Sequence, residues 1–118
     1  MPAYVIVGVD VLDQEAGLAY AAVAQPSILS HGGRYLVAGP TSEPVEGAWD
    51  FSRLVIIEFP DMDRVRKWYD SPEYRQAREM RKGTARVRML FADGVATRGL
   101  LSPWASVDAL TRQGAPAS

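Results

Sequence analysis

The stretch Glu58-Phe-Pro-Asp-Met-Asp-Arg-Val-Arg-Lys-Trp-Tyr-Asp-Ser-Pro-Glu-Tyr74 joins a strand end, two capped helices and a polar-aromatic cluster within seventeen residues. Asp61 stands where an N-cap is needed, just before an apolar stripe of Met62, Val65, Trp68 and Tyr69 at helical spacing. Ser71-Pro72-Glu73 restarts a second helix, with serine as N-cap and proline at the first helical position, where its missing N–H costs nothing. Immediately upstream, Arg53 to Phe59 reads as a strand whose Leu54, Val55, Ile56 and Ile57 place apolar side chains on both faces.

Working outward, Tyr4 to Val11 alternates, with Val5, Val7, Val9 and Val11 on one face and Tyr4, Ile6, Gly8 and Asp10 on the other. Asp13 caps a helix in which Leu18, Ala21, Ala22 and Leu29 form the expected stripe, running to Gly32-Gly33 with a kink or break at Pro26. Arg34 to Gly39 is a short second strand, Thr41 to Ser52 a long polar connection, and Thr84 to Ala92 the last strand. The order β-α-β-β-α-β predicts an α+β, ferredoxin-like domain over residues 1–94, with helices covering one face of a four-stranded antiparallel sheet. The opposite face also carries apolar residues and has no element left to cover it, so a two-fold homodimer packing sheet on sheet is expected. Residues 95–118 form a C-terminal extension, with a short helix from Leu101 to Gln113 and a disorder-prone end.

Composition narrows the chemistry. The chain has 118 residues, 47% of them hydrophobic, enough for one core without covalent staples. Cysteine is absent, which removes disulfides and thiolate metal sites and makes the cytoplasm the natural compartment. No apolar run approaches the length of a membrane span, and no signal segment precedes the first strand. Net charge is −1 but uneven: residues 1–63 carry −7 and residues 64–88 carry +6. The basic block is either a site for an anionic ligand or a solvated helix pair laced by the i,i+4 pairs Asp63 with Lys67, Arg66 with Asp70 and Arg75 with Glu79. Nucleic-acid motifs, phosphate loops, dinucleotide fingerprints and zinc spacings are all missing from the sequence.

Gly32-Gly33-Arg34-Tyr35-Leu36-Val37, Val45-Glu46-Gly47, Glu58-Phe59-Pro60 and Trp68-Tyr69-Asp70-Ser71-Pro72-Glu73-Tyr74 together resemble the bacterial domain-of-unknown-function family 1330. The resemblance covers roughly residues 2–94 and implies the dimeric α+β barrel superfamily, in which two such sheets pack together. It implies no particular activity. The chain departs from the family pattern at Pro40, and its tail has no counterpart there.

Glu58 is the leading candidate for chemistry: it ends an apolar strand on the Leu54 and Ile56 face, where burial is expected to raise its pKa and fit it to move a proton. The alternative is a structural pair with an arginine of the helices. Asp10 ends the first strand on the Tyr4 face, so the two carboxylates are expected to approach each other or flank one cavity. Tyr74, Ala77, Arg78 and Arg81 share one helical stripe, and inward arginines need Glu58, another carboxylate or an anionic ligand as partner. His31, the single histidine, sits where a cation suits a helix C-terminus, or serves as a general base beside Gly32-Gly33. Trp68, Tyr69 and Tyr35 are core aromatics whose donors would also suit a pocket wall. The candidate catalytic residues are therefore Glu58, His31 and Tyr69. The candidate ligand-binding residues are Arg34, Trp68, Tyr74, Arg78, Arg81 and Asp10. The sequence reads as a small homodimer binding an organic acid or aromatic metabolite and acting, if at all, as a cofactor-free isomerase or cyclase; the alternative is a non-catalytic module.

Overall fold

The computed structural model describes residues 1–39 and 42–95; the expected tail helix lies outside them. In chain order the elements are β1 (Ala3–Val11), α1 (Gln14–Ser30), β2 (Arg34–Gly39), β3 (Arg53–Phe59), α2 (Met62–Asp70), α3 (Pro72–Met80) and β4 (Ala85–Asp93). The strands form one antiparallel sheet in the order β2-β3-β1-β4, the ferredoxin-like arrangement. Among the described residues no helix is long and apolar enough to cross a membrane.

Local chemistry sets the helix ends. The Asp13 carboxylate accepts from the Ala16 N–H at 3.1 Å and Asp61 from the Arg64 N–H at 2.8 Å. Ser71 Oγ accepts from the Tyr74 N–H and donates to the Trp68 carbonyl at 2.7 Å, so one side chain ends α2 and starts α3. Gly32, at φ +86°, closes the turn after α1 in a conformation that other residues seldom adopt.

The odd-numbered face of β1 is the helix-covered one. Ala3, Val5 and Val7 pack there with Ile57 and Phe59 of β3 against Ala24, Ile28, Val65, Trp68, Tyr74 and Ala77. Two expectations for α1 are corrected. Of the kink or break expected at Pro26, the break does not occur: the helix is continuous through it, and Pro26 and Ala22, whose carbonyl loses its donor, both lie on the exposed side. Its buried residues are Ala24, Ser27 and Ile28 with Tyr20 and Val23 beside them, whereas Leu18 and Leu29 are exposed. Apolar residues surround this helix almost evenly, so periodicity alone could not choose the face.

The predicted ion pairs form only in part. Lys67 meets Asp63 at 2.9 Å, but Glu79 pairs with Lys82 at 2.8 Å rather than with Arg75, and Arg66 and Asp70 form no pair among the described residues. The even-numbered sheet face is also not left bare, as the sequence suggested. The β2–β3 connection folds onto it, with the Phe51 ring lying over Gly8, where a Cβ would stand 2.7 Å from the ring.

Candidate functional site

With Ser71 fixing the start of α3, Tyr74 and Ala77 turn fully into the core, and Arg78 and Arg81 follow on the same side one turn later. The Arg78 guanidinium lies 4.1 Å from the Tyr69 ring centroid; that of Arg81 lies 5.9 Å from Tyr20 and 6.0 Å from Tyr74. These are cation–π distances, which hold a guanidinium in place without neutralising it. Among the described residues Arg78 Nε, which is buried, has no hydrogen-bond partner, and neither arginine forms an ion pair. Both line a cavity of about 640 Å³ between α3 and β4. Among the described residues its walls carry Arg75, Arg78, Arg81 and Lys82 against one acid, Glu79, with Tyr69, Ala85 and Val87 as the less polar side.

The tyrosines behind the arginines stay neutral. Tyr20 and Tyr74 share a hydroxyl–hydroxyl hydrogen bond of 2.8 Å. Burial pushes both phenols above their ordinary pKa, Tyr74 the further, and pushes Tyr35 up to about 12.

Glu58 lies elsewhere. Its register partner is Tyr4, so its side chain points from the opposite sheet face, away from α3. Tyr4 donates to Oε2 at 3.0 Å, and Arg34 reaches Oε1 through Nε and an Nη, each at 2.7 Å. The expected upward pKa shift is thus reversed: first the Tyr4 hydrogen bond and then Arg34 hold Glu58 below the usual carboxylate range, outweighing desolvation. Its partner is a strand arginine, not one from the helix pair.

Asp10 shares that face but does not approach Glu58, since it lies six residues beyond Tyr4, about 20 Å along the strand. It accepts from the Ser52 N–H at 2.8 Å and pairs with Arg86, and these contacts hold its pKa below 3.8, the Ser52 N–H contributing most. Arg86 and Arg88 stack on Phe51 at 4.4 and 5.4 Å and so pin the β2–β3 connection to the sheet. A second cavity, of about 560 Å³, opens under that connection between Ile6, Leu54, Trp49 and Leu90.

His31 caps α1: its Nδ1 lies 2.7 Å from the Ser27 carbonyl. It stands eleven residues beyond Tyr20, about 16 Å along the helix, and so does not face the arginine cavity. Trp68 and Tyr74 have no exposed surface. The Trp68 indole donates to Ser27 Oγ at 3.1 Å, a buried tie between α2 and α1. Of the residues singled out from the sequence, Tyr69, Arg78 and Arg81 therefore meet at one cavity with Tyr74 behind them. Arg34 joins Glu58 across the sheet, and Asp10 and His31 stand apart.

Sequence reasoning missed Tyr20, Val87 and the Phe51–Arg86–Arg88 stack. For Tyr20 the signal was present, because Tyr20, Ala24 and Ile28 recur every fourth residue. For Phe51 no local pattern shows that a loop aromatic will find a strand glycine. Among the described residues no group of three acidic, histidine or cysteine side chains could hold a metal ion.

Residues 2–95 match the family described as Domain of unknown function (DUF1330), and the chain belongs to it. No curated protein matches the chain. Among solved structures it is similar to a protein of unknown function from Rhodopseudomonas palustris, with TM-score 0.66 and 20% identity over 80% of this chain and 83% of that one. It is similar also to a dimeric ferredoxin-like protein of unknown function from Jannaschia, with TM-score 0.63 and 11% identity over 80% of this chain and 100% of that one. A putative antibiotic biosynthesis monooxygenase from Caulobacter crescentus has TM-score 0.52 and 16% identity over 80% of this chain and 91% of that one. At these identities the likeness establishes the fold.

Proposed function

We propose that this member of the DUF1330 family is a homodimer that binds a small organic carboxylate in the arginine cavity between α3 and β4. One observation carries the reading: among the described residues Arg78 and Arg81 line that cavity without an ion-pair partner, the one lining carboxylate, Glu79, being paired with Lys82, and the Nε of Arg78 is buried without a hydrogen-bond partner. A buried donor on a charged group is costly to leave unmatched, and a carboxylate supplies acceptors in the geometry a guanidinium favours. Tyr69 forms a wall suited to a flat or apolar ligand body. Glu58 and His31 both lie away from the cavity, which favours binding over proton transfer by either.

The homodimer reading draws on the even-numbered sheet face. Ile6, Leu54, Ile56, Val37 and Leu90 align across all four strands, with Leu90 55% exposed. An apolar stripe of this breadth calls for a partner layer, and the dimeric relative from Jannaschia has the same sheet.

The binding reading is tested by NMR titration with a carboxylate and its uncharged amide. The acid is expected to shift resonances of α3 and β4 where the amide does not. Arg78→Gln is expected to weaken the acid about tenfold or more, the scale of a lost charge-assisted hydrogen bond. Equal binding of acid and amide would refute the assignment.

A further inference from the structure

A small cleft adjoins the arginine cavity. It measures about 60 Å³ and lies between β1, β4 and the first turns of α1, with Val9, Val11, Gly17 and Tyr20 among its walls. Arg81 and Val87 line both spaces, so the cleft opens beside the guanidinium. Its other polar groups are already satisfied: the Tyr20 hydroxyl is bonded to Tyr74, and Thr84 Oγ1 donates to the Met80 carbonyl at 3.2 Å. What remains is hydrocarbon beside a cation with no ion-pair partner among the described residues.

Gly17 sets the width. A Cβ there would stand 2.9 Å from Val11 Cγ1, so α1 approaches β1 this closely only because the residue has no side chain. Glycine inside a helix costs about 1 kcal/mol relative to alanine, so a propensity-driven choice would have placed alanine here. A water-sized group needs about 10–15 Å³, so the cleft has room for a compact chain of about four carbons.

Resting on the carboxylate reading above, we infer that the cleft is the apolar arm of that site. Its ligand is then an aliphatic carboxylate, with its head on Arg81 and a short hydrocarbon tail between α1 and β1. The arrangement recognises chain length, because each methylene that enters leaves water while the head stays on the arginines.

The test is an NMR titration of the full chain with acetate, propionate, butyrate, pentanoate and octanoate. In the native protein affinity is expected to rise about fourfold per methylene up to about pentanoate and then level off. Gly17→Ala, which favours the helix, is expected to abolish that rise, weakening pentanoate far more than acetate. Val11→Ala, at a half-exposed strand end, is expected to move the optimum to a longer acid. Measurable binding with a flat dependence on chain length would overturn the cleft assignment alone, as would a Gly17→Ala effect equal for all acids. Failure of every acid, acetate included, would overturn the carboxylate reading and the cleft together.

Discussion

Glu58 shows how one residue's surroundings reverse an expectation drawn from its position. On an apolar strand, burial alone would favour the protonated acid, but a phenol hydroxyl and a guanidinium both reach this carboxylate and favour the charged form. Because its folded pKa lies below the ordinary 4.5, its contribution to stability is present in full above that value and is lost as pH falls through the folded pKa. Glu58→Gln is therefore expected to melt below the native protein at pH 7, with the two melting temperatures converging at acid pH below 4.5. Curves that stay parallel across that range would remove the carboxylate from the account. Arg78 is the opposite case, a charge held by an aromatic ring with a buried donor left over. The sequence placed Arg78 and Arg81 on the Tyr74 stripe correctly, because a helix fixes angular position from spacing alone. It could not show that Glu58 would be engaged by Tyr4 and Arg34 on the other face of the sheet.

Among the elements, α2 and α3 were legible almost to the residue, because Asp61, Ser71 and Pro72 act on backbone groups three or four positions away. The face that α1 buries was not. Ala24 and Ser27 are buried because small side chains let the Trp68 indole reach Ser27 Oγ, a choice made by the partner helix. Ser27→Ala would leave the indole N–H buried without an acceptor and is expected to cost about 1–3 kcal/mol in urea unfolding. Pro26 gives the opposite prediction. It interrupts the hydrogen bonding of a continuous helix from an exposed position, so Pro26→Ala is expected to stabilise the protein by about 2 kcal/mol, the lost-donor penalty less the proline's stiffening of the unfolded chain. No gain would mean that the helix bends around Pro26 at little cost.

For the whole molecule, the sheet has one face filled by helices and one shared between the pinned β2–β3 connection and an apolar stripe. If that stripe joins two copies, light scattering at micromolar concentration should give twice the 12.9 kDa chain mass. Leu90→Asp should halve it without unfolding the chain, since Leu90 is already 55% exposed in the single copy. A native monomer would end the dimer reading. Strand alternation alone determined that Glu58 shares a face with Leu54 and Ile56, and that Tyr4, Ile6, Gly8 and Asp10 share one as well, because side-chain period in a strand is fixed by backbone geometry. Both faces of β1 and β3 are apolar, so alternation could not say which face the helices would cover. Only the tertiary structure, by packing α1, α2 and α3 on the Val5 and Val7 side, put Arg78 and Arg81 on one side of the sheet and Glu58 on the other. Contacts between residues distant in sequence made that choice, and no local pattern records them.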